Sequence, residues 1–208
     1  VLSADLTLPE QLAAVEARLE DPSRPIDLLV NNAGFGNNGP FTGHERDILD
    51  REIRLNVLAL TRLAHAALPS MVARGRGGVI NVASVAGFQP TPGTAVYGAT
   101  KAFVISLSEA LHEEVRGSGV NVLVLCPGYT KTEFQARNNY QPRNLPSFAW
   151  DTPEAVAEDA LRALERGQAM CVPGPFNKAL AGSVHLLPRA AVRRVALLVT
   201  ERTFITTH

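Results

Sequence analysis

Short apolar runs of strand length set the frame of the chain. Val79-Ile80-Asn81-Val82 and Val120–Leu125 are rich in β-branched residues, and Ile26–Val30 and Met170-Cys171-Val172 are closed off by Pro, Asn or Gly. Between them the apolar period lengthens to that of a helix. Leu12, Val15 and Leu19 mark a helix that ends near Leu19 or Glu20. Thr7-Leu8-Pro9-Glu10 reads as its capping box, with Pro in the first turn. Asp21–Pro25 breaks it. Over residues 45–73, Ile48, Ile53, Val57, Leu60, Ala64, Leu68 and Met71 form one stripe, and Leu49, Leu55, Leu58 and Ala59 widen it. So broad an apolar surface predicts burial on two sides, by the sheet and by a partner subunit. Phe103, Leu107, Ala110 and Leu111 stripe a helix over 97–116, which Gly117-Ser118-Gly119 stops. Another helix opens at Asp151-Thr152-Pro153-Glu154. Val1-Leu2-Ser3-Ala4 reads as the last part of a strand.

Strands alternating with helices predict an α/β fold, a doubly wound parallel sheet with helices on both faces. The Ile26–Val30 strand is predicted to be buried on both of its faces. Ligands of such sheets bind at the carboxyl ends of the strands. Asp5, Asn31, Ser84 and Pro127-Gly128 all fall at predicted strand ends. A chain of 208 residues predicts a single domain over 1–208. Within it, residues 134–150 are a polar stretch rich in Asn, Gln and Pro. Residues 176–208 are a tail alternating apolar groups with Arg189, Arg193 and Arg194.

Charge narrows the partners. Lys and Arg number 20, as do Asp and Glu, so nothing points to nucleic acid. Cys126 and Cys171 each sit in an apolar run and read as buried free thiols of a reducing compartment. The histidines lie far apart and predict no metal site. There is no signal peptide and no apolar run read as long enough to span a bilayer, so a cytoplasmic protein is expected.

The candidate chemistry lies in 81–101. Tyr97 and Lys101 are four apart and share a helix face. Ser84 stands at a strand tip, where the loop through Gly87, Pro90, Pro92 and Gly93 can fold it back onto that face. The ordinary alternative is a cation and an aromatic on a solvated helix face. With three tyrosines and three lysines in the chain, random order places some Lys four after a Tyr with odds of about 4%. The Ser, Tyr and Lys together make a proton-transfer site, in which Lys101 is expected to lower the phenol's normal pKa of about 10. Gly34, Gly36 and Gly39 spell G-x-G-x-x-G, yet Gly39 runs into Pro40-Phe41-Thr42-Gly43 rather than opening a helix, so the dinucleotide fingerprint is not met there.

On Tyr97-x-x-x-Lys101 with Ser84 upstream, Asn31-Asn32-Ala33-Gly34, Asn56 and Pro127-Gly128-x-x-x-Thr132, the chain resembles the short-chain dehydrogenase/reductase family from Asp5 to about Pro173. The resemblance implies a Rossmann-like fold. It also implies hydride transfer between NAD or NADP, with NADP favoured, and a carbonyl or secondary alcohol. It makes Tyr97 the general acid or base, Ser84 the group that polarises the carbonyl, Lys101 the holder of the ribose hydroxyls, and Asn56 a helix kink that places a relay water. The ordinary alternative for Asn56 is a tolerated polar residue. Asn31, Ala33 and Gly34 would line the adenosine side, Pro127 and Gly128 the nicotinamide pocket, and Thr132 the carboxamide. Asp5 would face the adenine, or else act locally beside Thr7. Phe88, Gln89, Tyr129 and Phe134, with residues 134–150, would wall an apolar small-molecule substrate, and Tyr140, Phe148 and Trp150 add aromatic surface. Assembly as a homodimer or homotetramer would use helices 45–73 and 97–116. The tail resembles the ends of lipid-handling relatives and could touch a membrane, although a solvated basic face accounts for it as well.

The family's opening strand, its T-G-x-x-x-G-x-G turn and its second strand are not matched in these residues. The resemblance therefore implies an incomplete copy, and the 208 residues alone are expected to bind no dinucleotide. Rival classes are a dinucleotide sensor, which would lack the Tyr or Lys, and an epimerase or dehydratase, which would carry a separate substrate domain.

Overall fold

The computed structural model describes residues 1–134 and 146–203. Tyr140 and most of the 134–150 stretch lie outside the described residues, as do the last five positions of the tail. The central sheet is parallel, in the order β1 (Leu28–Asn31), β2 (Gly77–Val82), β3 (Val120–Leu125) and β6 (Met170–Cys171). A two-stranded ribbon of β4 (Tyr129–Thr130) and β5 (Trp150–Asp151) stands apart from it and closes the base of the 131–149 stretch. The helices are α1 (Pro9–Glu20), α2 (Arg46–Ile53), α3 (Leu60–Arg74), α4 (Ala95–Glu114), α5 (Pro153–Glu165), α6 (Pro175–Leu186) and α7 (Arg189–Thr203).

The alternating faces of β2 and β3 divide the core. Val79 and Val122 point to one side, where Leu12 and Leu19 of α1 meet Leu63, Ala67 and Met71 of α3. Val124 extends that face to Val104 and Ile105 of α4. Ile80, Leu123 and Leu125 point to the other side, against Val156, Ala160 and Ala163 of α5. Helices thus cover both faces, as the alternation of strands and helices predicts. An Arg62–Glu16 ion pair ties α3 to α1. The α3 rod stops at Gly75, whose left-handed φ of 68° lets its N–H cap Met71.

Several local expectations are corrected. Val1–Ala4 joins no strand. Thr7 does not cap α1: its hydroxyl donates to Asp5 Oδ1 at 2.7 Å, and Leu8 takes the cap position without a side-chain bond. The strand after Pro25 is not buried on both faces. It forms the described edge of the sheet, with Leu28 39% and Val30 49% exposed. The helical rod Arg46–Arg74 is, by length and apolar content alone, long enough to cross a membrane. The sequence reading found no such run because charged residues interrupt the first half. Ala59, Leu63, Ala66, Ala67, Leu68 and Met71 of this rod are buried in the core beside α1 and β2, and Leu60 is buried beside α4.

A polar thread crosses the middle of this core. Asn31 and Asn81 are register partners on β1 and β2, and Asn31 Nδ2 donates to Asn81 Oδ1 at 2.9 Å. Asn81 Nδ2 donates in turn to Ser108 Oγ on α4 at 3.0 Å. Buried amides left unpaired would cost about 1–3 kcal/mol each. The thread therefore fixes which strands and which helix face come together at the carboxyl edge.

Candidate active site

The residues singled out by spacing converge at the carboxyl ends of β1, β2 and β3. Ser84 follows β2 in extended backbone, and its hydroxyl accepts the Ala86 N–H at 3.1 Å, capping the short turn Val85–Phe88. Tyr97 lies in the first turns of α4 on the side of Ser84, which acts to lower its phenol pKa, while the Ser84 hydroxyl itself donates to the Pro127 carbonyl at 3.5 Å. One helical turn on, Lys101 is 5% exposed, donates to the Val82 carbonyl at 2.8 Å, and stands 5.6 Å over the Tyr97 ring.

The charges differ from the sequence expectation. Tyr97 keeps some surface, but its hydroxyl is densely surrounded by protein. Burial pushes its phenol up to about 12, against a lowering contribution from Ser84 and a further raising one from the Glu52 carboxylate. Lys101 does not hold it below 10. Its ammonium lies over the ring and bonds a main-chain carbonyl, and burial pulls Lys101 itself down to about 8.

Asn56 is 1% exposed at the centre of a π-helical turn, Arg54–Ala59, that joins α2 to α3. Such turns interrupt the regular hydrogen-bond ladder of a helix. Here the Asn56 side chain clamps the loop after β1. It accepts from Phe35 N at 3.1 Å and donates to Phe35 O at 2.8 Å and to Thr100 Oγ1 at 3.1 Å. The loop needs glycine where it passes the cluster. A Cβ on Gly34 would lie 3.0 Å from Asn56 Oδ1, and one on Gly36 would lie 2.7 Å from Tyr97 Cδ2 and 3.0 Å from its Cγ. Gly36→Ala is therefore expected to push the Tyr97 ring aside. A reacting group displaced by about 1 Å loses about 10²-fold in rate. Turnover and a melting curve measured on the same sample check whether the loss comes with the fold intact.

The remaining residues of the sequence reading take varied places. Asn31 turns into the sheet, at 7% exposure, while Ala33 is exposed and Gly34 half-buried beside it. Asp5 is exposed, with its carboxylate on Thr7 N and Oγ1, the local role among its two alternatives. Thr132 is exposed, and its hydroxyl accepts from Phe134 N at 3.2 Å. The Phe134 ring packs 5.8 Å from that of Tyr97, centroid to centroid. Tyr129 stacks on Trp150 at 5.6 Å across the β4–β5 ribbon, and Phe148 meets Phe176 at 5.6 Å. Phe88 is half-buried and packs against the core cluster of Val104 and Ile105. Gln89 buries its Oε1 without a hydrogen-bond partner.

The sequence reading missed Glu52 and Asn177. Glu52 is 1% exposed on α2, one turn before Asn56. A carboxylate four residues from a buried Asn, inside an apolar stripe, is the signal that could have found it. Asn177 on α6 donates to Asp151 Oδ2 at 2.9 Å and to Pro173 O at 3.1 Å. A Cβ on Gly128 would fall 2.2 Å from Asn177 Oδ1, so α6 seats directly on the Pro127-Gly128 turn.

Comparison with known proteins gives a consistent set of likenesses. Residues 1–143 match the family described as short chain dehydrogenase. A ketoacyl reductase, HetN, of Nostoc sp. strain PCC 7120 is 35% identical over 162 residues, covering 77% of this chain and 56% of that protein. The chain thus spans little more than half the length of that relative. A short-chain dehydrogenase from Sphingobium yanoikuyae, solved in complex with NADPH, superposes with a TM-score of 0.77 at 36% identity, covering 91% of this chain and 76% of the other. An alcohol dehydrogenase from Comamonas testosteroni, described as specific for bulky-bulky ketones, gives a TM-score of 0.73 at 33% identity, covering 91% and 74%.

Proposed function

The chain belongs to the short-chain dehydrogenase/reductase family, and we propose that the protein interconverts a carbonyl and a secondary alcohol on an apolar small molecule with a nicotinamide dinucleotide. The observation that carries this reading is the gathering of Ser84, Tyr97 and buried Lys101, its Nζ 5.6 Å over the Tyr97 ring, at the carboxyl edge of a parallel sheet. NADP is the favoured dinucleotide, since the Sphingobium relative was solved with NADPH.

The residues present suit such a group in part. The exposed Ala33 backbone, Lys101 and the Pro127-Gly128 turn lie along one edge, where Lys101 would hold ribose hydroxyls and Thr132 a carboxamide. A bound nicotinamide supplies or takes the hydride. The chain's own residues move the proton. In reduction the Tyr97 hydroxyl donates to the carbonyl oxygen, which the Ser84 hydroxyl holds in line, and in oxidation Tyr97 takes that proton back. Phe134, Tyr129 and Trp150 support an apolar or aromatic substrate. Exposed Ile53, Leu58 and Phe103 on the outer side of the α2–α4 layer support assembly of identical copies through those helices.

The height of the Tyr97 pKa gives the two directions different pH profiles. A phenol pushed up to about 12 stays protonated through neutral pH, the form that donates in reduction. The reduction rate is expected to stay flat across that range. Oxidation requires tyrosinate, so its rate is expected to rise about tenfold per pH unit toward that value. Profiles of kcat in both directions check this, and a flat oxidation profile would contradict it. The function itself is tested with a panel of aromatic ketones, aliphatic ketones and sugars, assayed with NADPH and NADH on the 208 residues and, beside them, on a form extended upstream through the Gly-rich turn, which is the one expected to turn over. Turnover confined to small polar sugars would overturn the apolar substrate.

A further inference from the structure

Glu52 is the residue of the site that the mechanism above leaves without a task. Its Oε2 accepts from Asn37 Nδ2 at 2.8 Å, while its Oε1 is fully buried with no hydrogen-bond partner. Beside it lies a small, partly open pocket of about 10 Å³ lined by Glu52, Asn37, Gly39 and His44 among others. That volume is about the room one water needs, provided polar partners face it. An unpaired buried carboxylate is among the costlier groups a core can hold, and it gives way to the protonated form. Oε2 is already an acceptor, so a proton held here belongs on Oε1, where it becomes a donor with no protein partner. A Met or Leu would fill the same place without this cost.

We propose that Glu52 is a proton-holding group behind the Ser84–Tyr97–Lys101 cluster, bonded through a single water in this pocket to His44, and that it sets the charge against which Tyr97 and Lys101 ionise. The titratable groups that face Glu52 are His44 from the loop after β1 and Tyr97 and Lys101 from α4; Asn37 is its neutral partner. Burial raises the Glu52 carboxyl above the ordinary carboxylate range, Asn37 and Lys101 acting in the opposite direction. In the other sense, an ionised Glu52 raises both Tyr97 and Lys101. Gain or loss of one proton at Glu52 therefore changes how readily Tyr97 gives up its own. Glu52 is a positioning residue by charge and touches no substrate.

The effect on turnover rests on the oxidoreductase reading, so the first measurement uses no substrate. In the full chain labelled with carboxyl-¹³C glutamate, one resonance is expected to titrate above the other glutamates. It should vanish in Glu52→Gln and move in His44→Gln. The phenol absorbance of Tyr97, taken as wild type minus Tyr97→Phe, is expected to titrate at lower pH in Glu52→Gln. The folded chain holds the Glu52 proton more tightly than the unfolded chain does. Stability should therefore fall as pH rises from the ordinary Glu range, and Glu52→Gln should remove that fall. A Glu52 resonance within the range of the exposed glutamates, or a Tyr97 titration unmoved by Glu52→Gln, overturns the proposal. If Glu52→Gln fails to fold, Glu52→Met and His44→Gln carry the same comparison. Absence of turnover in a form extended upstream through the Gly-rich turn would sink the oxidoreductase reading and leave these titrations standing.

Discussion

Tyr97→Phe is expected to lower kcat on a carbonyl substrate by about 10²- to 10⁴-fold, the usual contribution of a positioned proton donor. The substitution removes one oxygen and keeps the ring. That ring is held on one side by the Gly36 backbone and on another by Phe134, 5.8 Å away. Neither contact involves the hydroxyl, so α4 and the loop after β1 keep their packing. Loss of the hydroxyl's polar contacts changes stability by about 1 kcal/mol at most. A structural tyrosine would show the reverse pattern, with a small loss of stability and an unchanged rate. Parallel measurement of kcat, KM and melting temperature separates the two. Retained turnover in the Phe variant would remove Tyr97 from the chemistry.

What the sequence made legible follows from which interactions are local. Tyr97 and Lys101 share a helix face because the spacing of four is enough to put them there. Ser84 reaches them because a strand end and a glycine-bearing loop leave few other paths. The parallel sheet and the placing of helices on both of its faces follow from alternation and from the right-handed crossovers that parallel strands require. The rest depends on contacts between distant residues. Asn81 reads as one polar position in a β-branched strand, and only its register against Asn31 gives it a role. Glu52 reads as one charge among several on α2. It becomes notable once folding leaves it 1% exposed with one oxygen unpaired. Asn177 acts from α6 on a turn some fifty residues earlier, through the ribbon at Asp151. The Tyr97 pKa was misjudged in direction for the same reason. Spacing shows that a Lys is near, while the degree of burial, which decides the sign, is a property of the whole fold.

Lys101→Met is expected to abolish activity and leave the protein as stable as wild type, or more so, at neutral pH. Two effects of opposite sign meet at this side chain. Burial brings Lys101 from 10.5 down to about 8. A shift of that size costs the folded state about 3 kcal/mol at neutral pH, since the charged form must be desolvated. Methionine fills a similar volume without that cost. Against it stands the hydrogen bond to the Val82 carbonyl at 2.8 Å, whose loss leaves a main-chain acceptor unpaired at about 1–3 kcal/mol. The two nearly cancel, with the balance toward the variant. The pH dependence carries the distinguishing sign. In the wild type the unfolded chain binds the Lys101 proton more readily than the folded chain does. Wild-type stability should therefore rise from about pH 8 to 10.5, and the variant should lose that rise. Activity goes the other way. Without the ammonium 5.6 Å from the Tyr97 ring, the ribose loses its proposed anchor beside the phenol. A loss of at least about 10²-fold in kcat/KM is expected. Melting temperatures at pH 7 and 9.5, set beside turnover, test both halves. A variant less stable than wild type by several kcal/mol would assign Lys101 to the framework, and a variant with normal turnover would place it outside the site.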